Sequence, residues 1–518
     1  MREPISSLDW IVISGYLLLM LAIAAWLSRR NSNPAEYYLG GQQLPAWALA
    51  LSVMATQCST NSLLGAPAFV GFVMGGGLIW LQYELAVPLA MLLLAVLFLP
   101  VYRCGVISIY EYLEHRLGRG ARLLGSGCFL LFRGVATGVT VYGVASLLSL
   151  IAGVEYLTAV VLLMGVTVVY DVLGGMRAVV ISDVVQLTIL LCAVVAGVVW
   201  LGGSLEGQPG VVAARSGTLI NDWGLGSGNN YGFWPMLFGG VFLYAAYYGC
   251  DQSQAQRLLS ARNEIALGRI LLINGVARFP VVALYCVLGI GLAAYAADHP
   301  GFIQTLPETA AGDPNLNMVF PAFAIAEFPD GLVGLVIVGL FAAAMSSIDS
   351  SLNSLSAATL EDFFPASTAS SVAPKIMTFI WGSLAIAFSF SVESIAPTVL
   401  ESVNRIGSMA NGSLLALFVV ATGFRQWGQS AAIVGFFAGL CANGAIWYWL
   451  PEVSWLWWNV IGCVVALVTA AVVAQIQGHV LTQVTFERPA RPLTVALGSA
   501  AVAILAVLFA AEVYISWQ

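Results

Sequence analysis

A run of hydroxyl and carboxylate side chains at residues 346–351 lies inside a long apolar stretch of this 518-residue chain. Polar and small residues here recur at three- and four-residue intervals, which places them on one face of a helix: Ala343, Ser346, Asp349, Ser350 and Asn353. Hydroxyls, backbone carbonyls and carboxylates are the hard oxygen ligands that a partly dehydrated small cation needs. The spacing therefore predicts a cation site on this helix.

Two acidic residues in apolar surroundings each allow two interpretations. Asp349 is a functional candidate because a lone acid in hydrocarbon is costly, but it could be solvated at the cytoplasmic helix end, since Glu361 and Asp362 follow it. Asp183 follows the segment 174–182 at the start of another apolar stretch. It could line a cation exit, or it could be an ordinary N-terminal acid that the helix dipole favours.

Two further polar stretches, residues 55–62 and 244–252, interrupt otherwise apolar helices. Backbone inside a membrane tolerates such breaks only where they line a cavity. The stretches lie five predicted spans apart, so they run in opposite directions, and interrupted helices at matching places of two inverted halves indicate a transporter's binding site. The alternative is that the Ser and Thr side chains merely bond back to their own helices.

The composition predicts an all-α integral membrane protein. Of all residues, 60% are hydrophobic and 9% charged, whereas a soluble domain carries about a quarter charged residues. Fifteen Trp and eighteen Tyr suit two membrane interfaces. The eight cysteines mostly lie in apolar runs without CxxC spacing and only three histidines occur, so we expect neither a disulfide framework nor a zinc site.

Apolar stretches of about 20 residues, the length that crosses a bilayer, predict about 14 spans. They begin near residues 9, 45, 76, 122, 155, 181, 233, 268, 316, 374, 398, 428, 455 and 492. If both termini lie outside, fourteen arginines and lysines, Arg257 among them, fall in inward loops and only Arg2 and Arg215 in outward loops. The positive-inside rule favours this orientation.

Four segments resemble the sodium/solute symporters, the family of the sodium–glucose, proline, sialic acid and monocarboxylate transporters: residues 38–41, 173–183, 249–257 and 343–353. The resemblance implies a LeuT-like fold, an inverted repeat of five plus five helices with one extra N-terminal helix and about three extra C-terminal helices. A single transporter domain would span residues 1–518, with repeats at 45–203 and 233–424 and accessory helices at 428–518.

The resemblance also implies ion sites, with Na⁺ as the coupling ion. The principal sodium site would use the carbonyls of Ala55 and Cys58 together with Ala343, Ser346 and Ser347. A possible second cation site would comprise Asp183, Ser346, Asp349 and Ser350. Some relatives carry a serine at the position of Asp349.

For the substrate, the resemblance implies a site drawn from nine residues: Ser59, Ser62, Gln82, Glu84, Arg133, Tyr244, Tyr247, Arg278 and Asn404. Tyr244 and Arg278 replace an amide and a lysine of the sugar carriers, which weakens a sugar interpretation. Arg133 lies near the arginine that sialic acid carriers use for a carboxylate, and a buried arginine suits a carboxylate through forked hydrogen bonds. It could instead bond to a neighbouring helix.

We therefore expect a sodium-coupled symporter, not an enzyme, that imports a small organic solute (a sugar, sialic acid or other carboxylate, or an amino acid) by alternating access. It would work as a monomer in the lipid bilayer of a bacterial inner membrane, without nucleic acid. The alternative function is a solute-sensing membrane domain of a signalling system. A membrane enzyme would need His, Cys or acidic residues that converge at membrane depth, and the sequence suggests none.

Overall fold

Hydrocarbon offers no hydrogen-bond partners, so a chain this apolar must satisfy its backbone within helices. The structure, a computed structural model, describes residues 5–28, 34–226, 231–308, 312–365, 372–393, 399–479 and 484–516. Within these residues the regular elements are helical; the extended pairs are two isolated bridges, Glu308 with Pro314 and Phe424 with Val484. The all-α prediction is confirmed.

The α-helices, in chain order, are α1 (Ser7–Leu27), α2 (Pro34–Leu39), α3 (Ala46–Gln57), α4 (Thr60–Phe72), α5 (Leu81–Glu84), α6 (Ala86–Arg103), α7 (Ile109–Arg116), α8 (Arg119–Ala152), α9 (Tyr156–Val160), α10 (Val166–Trp200), α11 (Gly202–Gly207), α12 (Pro209–Ala214), α13 (Gly240–Cys250), α14 (Gln252–Leu259), α15 (Glu264–Asp298), α16 (Val319–Glu327), α17 (Leu332–Phe363), α18 (Ala373–Glu393), α19 (Val399–Gly423), α20 (Gln429–Trp449), α21 (Leu456–Ile476) and α22 (Arg491–Ser516). Single π-helical segments, Val161–Gly165 and Pro235–Gly239, lead into α10 and α13.

Ten helices of the described residues are long and apolar enough to cross a membrane. One of them, Tyr156–Trp200, is a 45-residue element where the sequence predicted two spans. It breaks at Gly175, whose φ of 56° and ψ of −159° leave the helical region. Shorter apolar helices, α3 among them, lie where further spans were predicted.

The helix that carries the serine–aspartate run, α17, is the most enclosed of the ten, with 83% of its most apolar stretch buried. It packs against α1, α3, α8, α10, α14 and α18. Its start is fixed by the buried Asp9 of α1, whose Oδ1 accepts from the N–H groups of Gly331 and Gly334, both at 2.7 Å. These N–H groups belong to the first turn, which has no intrahelical acceptors, so the carboxylate both caps α17 and attaches α1 to it.

Both polar stretches interrupt helices as predicted. The helix α3 ends at Gln57, and α4 begins at Thr60 after an extended Ser59 (φ −70°, ψ 173°). The helix α13 ends at Cys250, and α14 begins after Asp251, which is also extended (φ −94°, ψ 120°).

Candidate functional site

The break after α3 releases backbone carbonyls from the helix ladder. The last carbonyls of a helix lack intrahelical donors, and here two of them meet hydroxyls of α17. Ser346 Oγ donates to the Ala55 carbonyl at 3.2 Å, and Ser347 Oγ donates to the Thr56 carbonyl at 3.0 Å. The interruption therefore provides main-chain oxygens, and α17 brings side-chain oxygens to them.

The remaining members of the predicted sodium site lie at the same place. The Ala343 carbonyl accepts from Ser346 Oγ at 3.2 Å and from Ser347 Oγ at 3.3 Å. Cys58 is buried at the break itself. The Ser347 hydroxyl donates to the carbonyl of Thr56. The sequence prediction did not include Thr56 and named Cys58 instead. Two hydroxyls and three carbonyls form an uncharged oxygen cluster of the kind that a small hard cation uses.

A polar cavity of about 220 Å³ adjoins these oxygens. Its walls come from the α3–α4 break, α8, α13 and α17: Thr56, Gln57, Ser59, Thr60, Arg133, Ala136, Thr137, Thr140, Tyr247, Ser347, Ile348 and Ser351. Ser347 belongs to both the oxygen cluster and the cavity wall. Three of the predicted substrate residues, Ser59, Arg133 and Tyr247, meet here.

Arg133 is the basic residue of the cavity wall. Its guanidinium pairs with Asp251 at 2.9 Å, donates to the Ser253 hydroxyl, and lies 5.6 Å from the centre of the Tyr247 ring. Its buried Nε has no hydrogen-bond partner among the residues that the structure describes. Both interpretations of Arg133 are therefore compatible with the geometry, since it bonds to a neighbouring helix and lines a cavity.

A second buried polar cluster lies deeper between α3, α10, α14 and α17. Arg257 of α14, only 1% exposed, pairs with Asp183 of α10 at 3.0 Å. Its Nε donates to Ser52 of α3 at 2.6 Å, and its Nη2 donates to Ser350 of α17. Arg257 was predicted to lie in an inward loop. That assignment is wrong, because α14 folds back into the protein after the Asp251 break.

The surroundings of the two acids argue against one of the two interpretations of each. Asp349 is 0% exposed, and its carboxylate accepts from the Tyr170 hydroxyl and the Ser350 N–H, so it is not a solvated helix end. Asp183 lies about two turns beyond the Gly175 break. The dipole effect fades within the first turn, so its ion pair with Arg257, rather than the dipole, stabilises its charge.

Four other predicted substrate residues lie away from the cavity walls. Arg278 holds Glu84 in a bidentate pair at 2.6 and 3.1 Å and donates to the Tyr244 hydroxyl at 2.8 Å. Gln82 donates to the Tyr231 carbonyl at 2.6 Å. These side chains are engaged with protein partners.

Two predicted substrate residues remain. The Ser62 hydroxyl donates to the Gln57 carbonyl at 3.3 Å, within the interrupted segment. The side chain of Asn404 lies outside the described part of the chain.

Sequence reasoning missed several polar residues of these clusters. Thr137 and Thr140 follow the predicted Arg133 at helical spacing on α8, and that pattern was a usable signal for the cavity wall. Ser52 and Tyr170 gave no such signal, because each is a single polar group within an apolar helix. Their roles depend on which helices meet.

Interrupted helices that enclose an oxygen cluster and a polar cavity define a many-spanning helical membrane transporter. A family model described as the Sodium:solute symporter family matches residues 37–439. The chain belongs to that family, whose members are sodium-coupled transporters rather than enzymes, and Na⁺ is its coupling ion.

Comparisons with individual relatives agree with this family assignment. The chain is 28% identical over 449 residues to the sodium-coupled monocarboxylate transporter 1 of Homo sapiens, covering 84% of this chain and 72% of that protein. It is 30% identical to the sodium-dependent multivitamin transporter of Oryctolagus cuniculus, with 84% and 69% covered. A solved Na⁺-coupled sialic acid symporter in a substrate-bound outward-open state has a TM-score of 0.79 at 22% identity, with 93% and 99% covered, which shows that the fold is shared.

Proposed function

We propose that this protein imports a small organic solute together with sodium by alternating access. Sodium binds at the carbonyls near the α3 break and the hydroxyls of Ser346 and Ser347, and the solute binds in the adjoining cavity. The observation that carries the proposal is that Ser347 belongs to both sites. Its hydroxyl lies in the oxygen cluster, and its side chain lines the cavity. One residue that touches both sites couples their occupation.

Among sugars, amino acids and carboxylates, we favour a carboxylate as the solute. The cavity has one basic wall residue, Arg133, whose Nε is a free donor among the described residues. Guanidinium groups bind carboxylates through paired hydrogen bonds. The names of relatives that carry monocarboxylates and sialic acid support the same class.

The proposal includes fourteen crossings, with inverted repeats at residues 45–203 and 233–424 and accessory helices at 428–518. The break at Gly175 supports counting Tyr156–Trp200 as two crossings, and the interruptions after α3 and α13 support matching halves. We further propose a monomer in a bacterial inner membrane with both termini outside.

The test is uptake into proteoliposomes that contain the purified chain. Radiolabelled lactate, sialic acid, glucose and proline are offered under an inward sodium gradient, with choline replacing sodium in the matched control. We expect uptake of a carboxylate that disappears in choline. Uptake that is indifferent to the swap would reject sodium coupling. A sensing domain would bind a solute without accumulating it.

Two variants test the carboxylate assignment. Asp251→Asn keeps an acceptor for the Ser253 N–H, now 2.8 Å from the Asp251 carboxylate, but removes the charge that competes for Arg133. We expect a lower KM for the carboxylate. Arg133→Lys loses the forked geometry and should raise KM about tenfold or more, since one lost hydrogen bond to a charged group costs roughly 1.5–3 kcal/mol. Unchanged KM in both variants would contradict the assignment.

A further inference from the structure

The four residues expected to form a second cation site do not face an open space. Asp183 pairs with Arg257 at 3.0 Å, and the Ser350 hydroxyl accepts from the same guanidinium. Arg257 Nε also donates to Ser52 Oγ at 2.6 Å, and Nη1 donates to the Ser253 carbonyl within α14. A protein cation therefore already contacts two of the four predicted ligands, a carboxylate oxygen of Asp183 and the hydroxyl of Ser350.

The oxygens around Arg257 are connected to one another. Ser52 Oγ donates to Asp183 Oδ2 at 2.5 Å, and Thr56 Oγ1 is 2.9 Å from Ser350 Oγ. Ser350 Oγ also donates to Asp349 Oδ1 at 3.1 Å. The guanidinium thus contacts Asp183 directly and reaches Asp349 through Ser350.

The position and the chemistry of Arg257 exclude a sodium ion from the same place. A guanidinium keeps its charge at any physiological pH, and Arg257 is anchored on α14, so it does not dissociate as a free ion would. A sodium ion bound to Asp183 and Ser350 would lie beside the guanidinium, where like charges repel strongly in a buried environment. Removing the guanidinium would leave Asp183 buried without its ion-pair partner, which is strongly unfavourable.

We propose that Arg257 is a built-in cation that occupies the second cation position, so that the transporter binds one sodium ion per chain. This inference rests on the proposed function, because it assumes the first sodium site near the α3 break. Arg257 acts here as a positioning residue: it fixes the number of ions and contacts no solute.

The experiment is equilibrium binding of ²²Na⁺ to the purified full-length chain in detergent, without solute. The wild type is expected to saturate at one sodium ion per chain. Two ions per chain would overturn the inference while leaving sodium coupling intact. No sodium binding at all would instead count against the proposed function, so the two failures are distinguishable.

Three variants test whether Arg257 determines the number of sodium ions bound per chain. Arg257→Gln removes the charge but keeps hydrogen-bonding atoms, and we expect saturation at two ions per chain. Arg257→Lys retains one positive charge and should remain at one. In the double variant Arg257→Gln with Asp183→Asn the acidic ligand is also gone, so the count should return to one.

A merely structural role of Arg257 would alter stability in these variants without this pattern in the count. A folded Arg257→Gln protein that binds one ion would overturn the proposal. If that variant cannot be purified, the neutral double variant and the wild type still decide, because either one binding two ions contradicts it.

Discussion

Ser347 is the residue at which ion and solute meet. Its hydroxyl reaches the Thr56 carbonyl at 3.0 Å and the Ala343 carbonyl at 3.3 Å, and its side chain lines the cavity. One helical turn away, Ser351 also lines the cavity, but its hydroxyl bonds back to the Ser347 carbonyl at 2.8 Å. Serines of one run therefore have different roles, which depend on what the opposite helix presents.

Ser347→Ala is expected to raise the sodium concentration that gives half-maximal uptake. A neutral oxygen bound to a charge contributes roughly 1.5–3 kcal/mol, so the increase should be about tenfold or more. The measurement is solute uptake at varied sodium concentration. Ser354→Ala is the matched control, because Ser354 Oγ bonds to the Ser350 carbonyl within α17 at 2.8 Å. Equal sodium dependence in the two variants would reject the assignment.

At the residue scale, sequence patterns indicated which polar residues share a helical face, but not which side chains they contact. The run on α17 could be placed on one helical face because hydroxyls and an acid recur at helical spacing. Arg257, in contrast, was predicted to lie in a loop, since an arginine near a span end is usually solvated. Its burial depends on the Asp251 break, which turns α14 toward Asp183.

At the element scale, breaks decide where polar groups lie. An intact helix would use the Ala55 and Thr56 carbonyls internally, whereas the break leaves both for Ser346 and Ser347. Polar composition predicted this break and the break at Asp251. The Gly175 break is different: a glycine pair in an apolar stretch could not fix its geometry, because a positive φ depends on the tertiary contacts around it.

Gly175→Ala is expected to destabilise the protein. At φ 56° and ψ −159° a side chain is strained, at a cost of roughly 1–3 kcal/mol, and an added Cβ would lie 2.8 Å from the Tyr37 carbonyl oxygen. The measurement is the apparent Tm of the purified protein, which should fall by several degrees. Gly165→Ala is the control, since its φ is −58° and its nearest neighbouring atom is 4.0 Å away. Equal Tm changes would contradict this explanation.

At the scale of the whole molecule, contacts between segments far apart in sequence are consistent with the proposed number of crossings. Arg103 at the end of α6 pairs with Glu264 at the start of α15 at 2.7 Å and also with Glu487 before α22. With fourteen crossings, these three points lie on the same face, which is the inner face in the proposed orientation. Thr218 N and Glu512 Oε2, 2.7 Å apart, likewise lie on one face, the outer face in the proposed orientation. A miscounted span between the members of either set would place them on opposite faces.

The burial of Arg257 also adjusts the charge argument for orientation. Without it, thirteen basic residues remain in the predicted inward loops against two in the outward loops. The positive-inside rule counts charges near span ends, and this bias is still large. The correction therefore changes the role of one residue and leaves the predicted orientation intact.

Reporter fusions test this orientation directly. Alkaline phosphatase, which is active only outside the cytoplasm, is fused after residue 426, 452 or 516, and a fluorescent protein that matures only inside serves as the reciprocal control. We expect phosphatase activity after 452 and 516 but not after 426, because α20, α21 and α22 each cross once and the Arg425 loop lies inside. Activity after 426, with fluorescence after 516, would reverse the orientation. If the same reporter is active at all three points, the C-terminal part has fewer crossings than proposed.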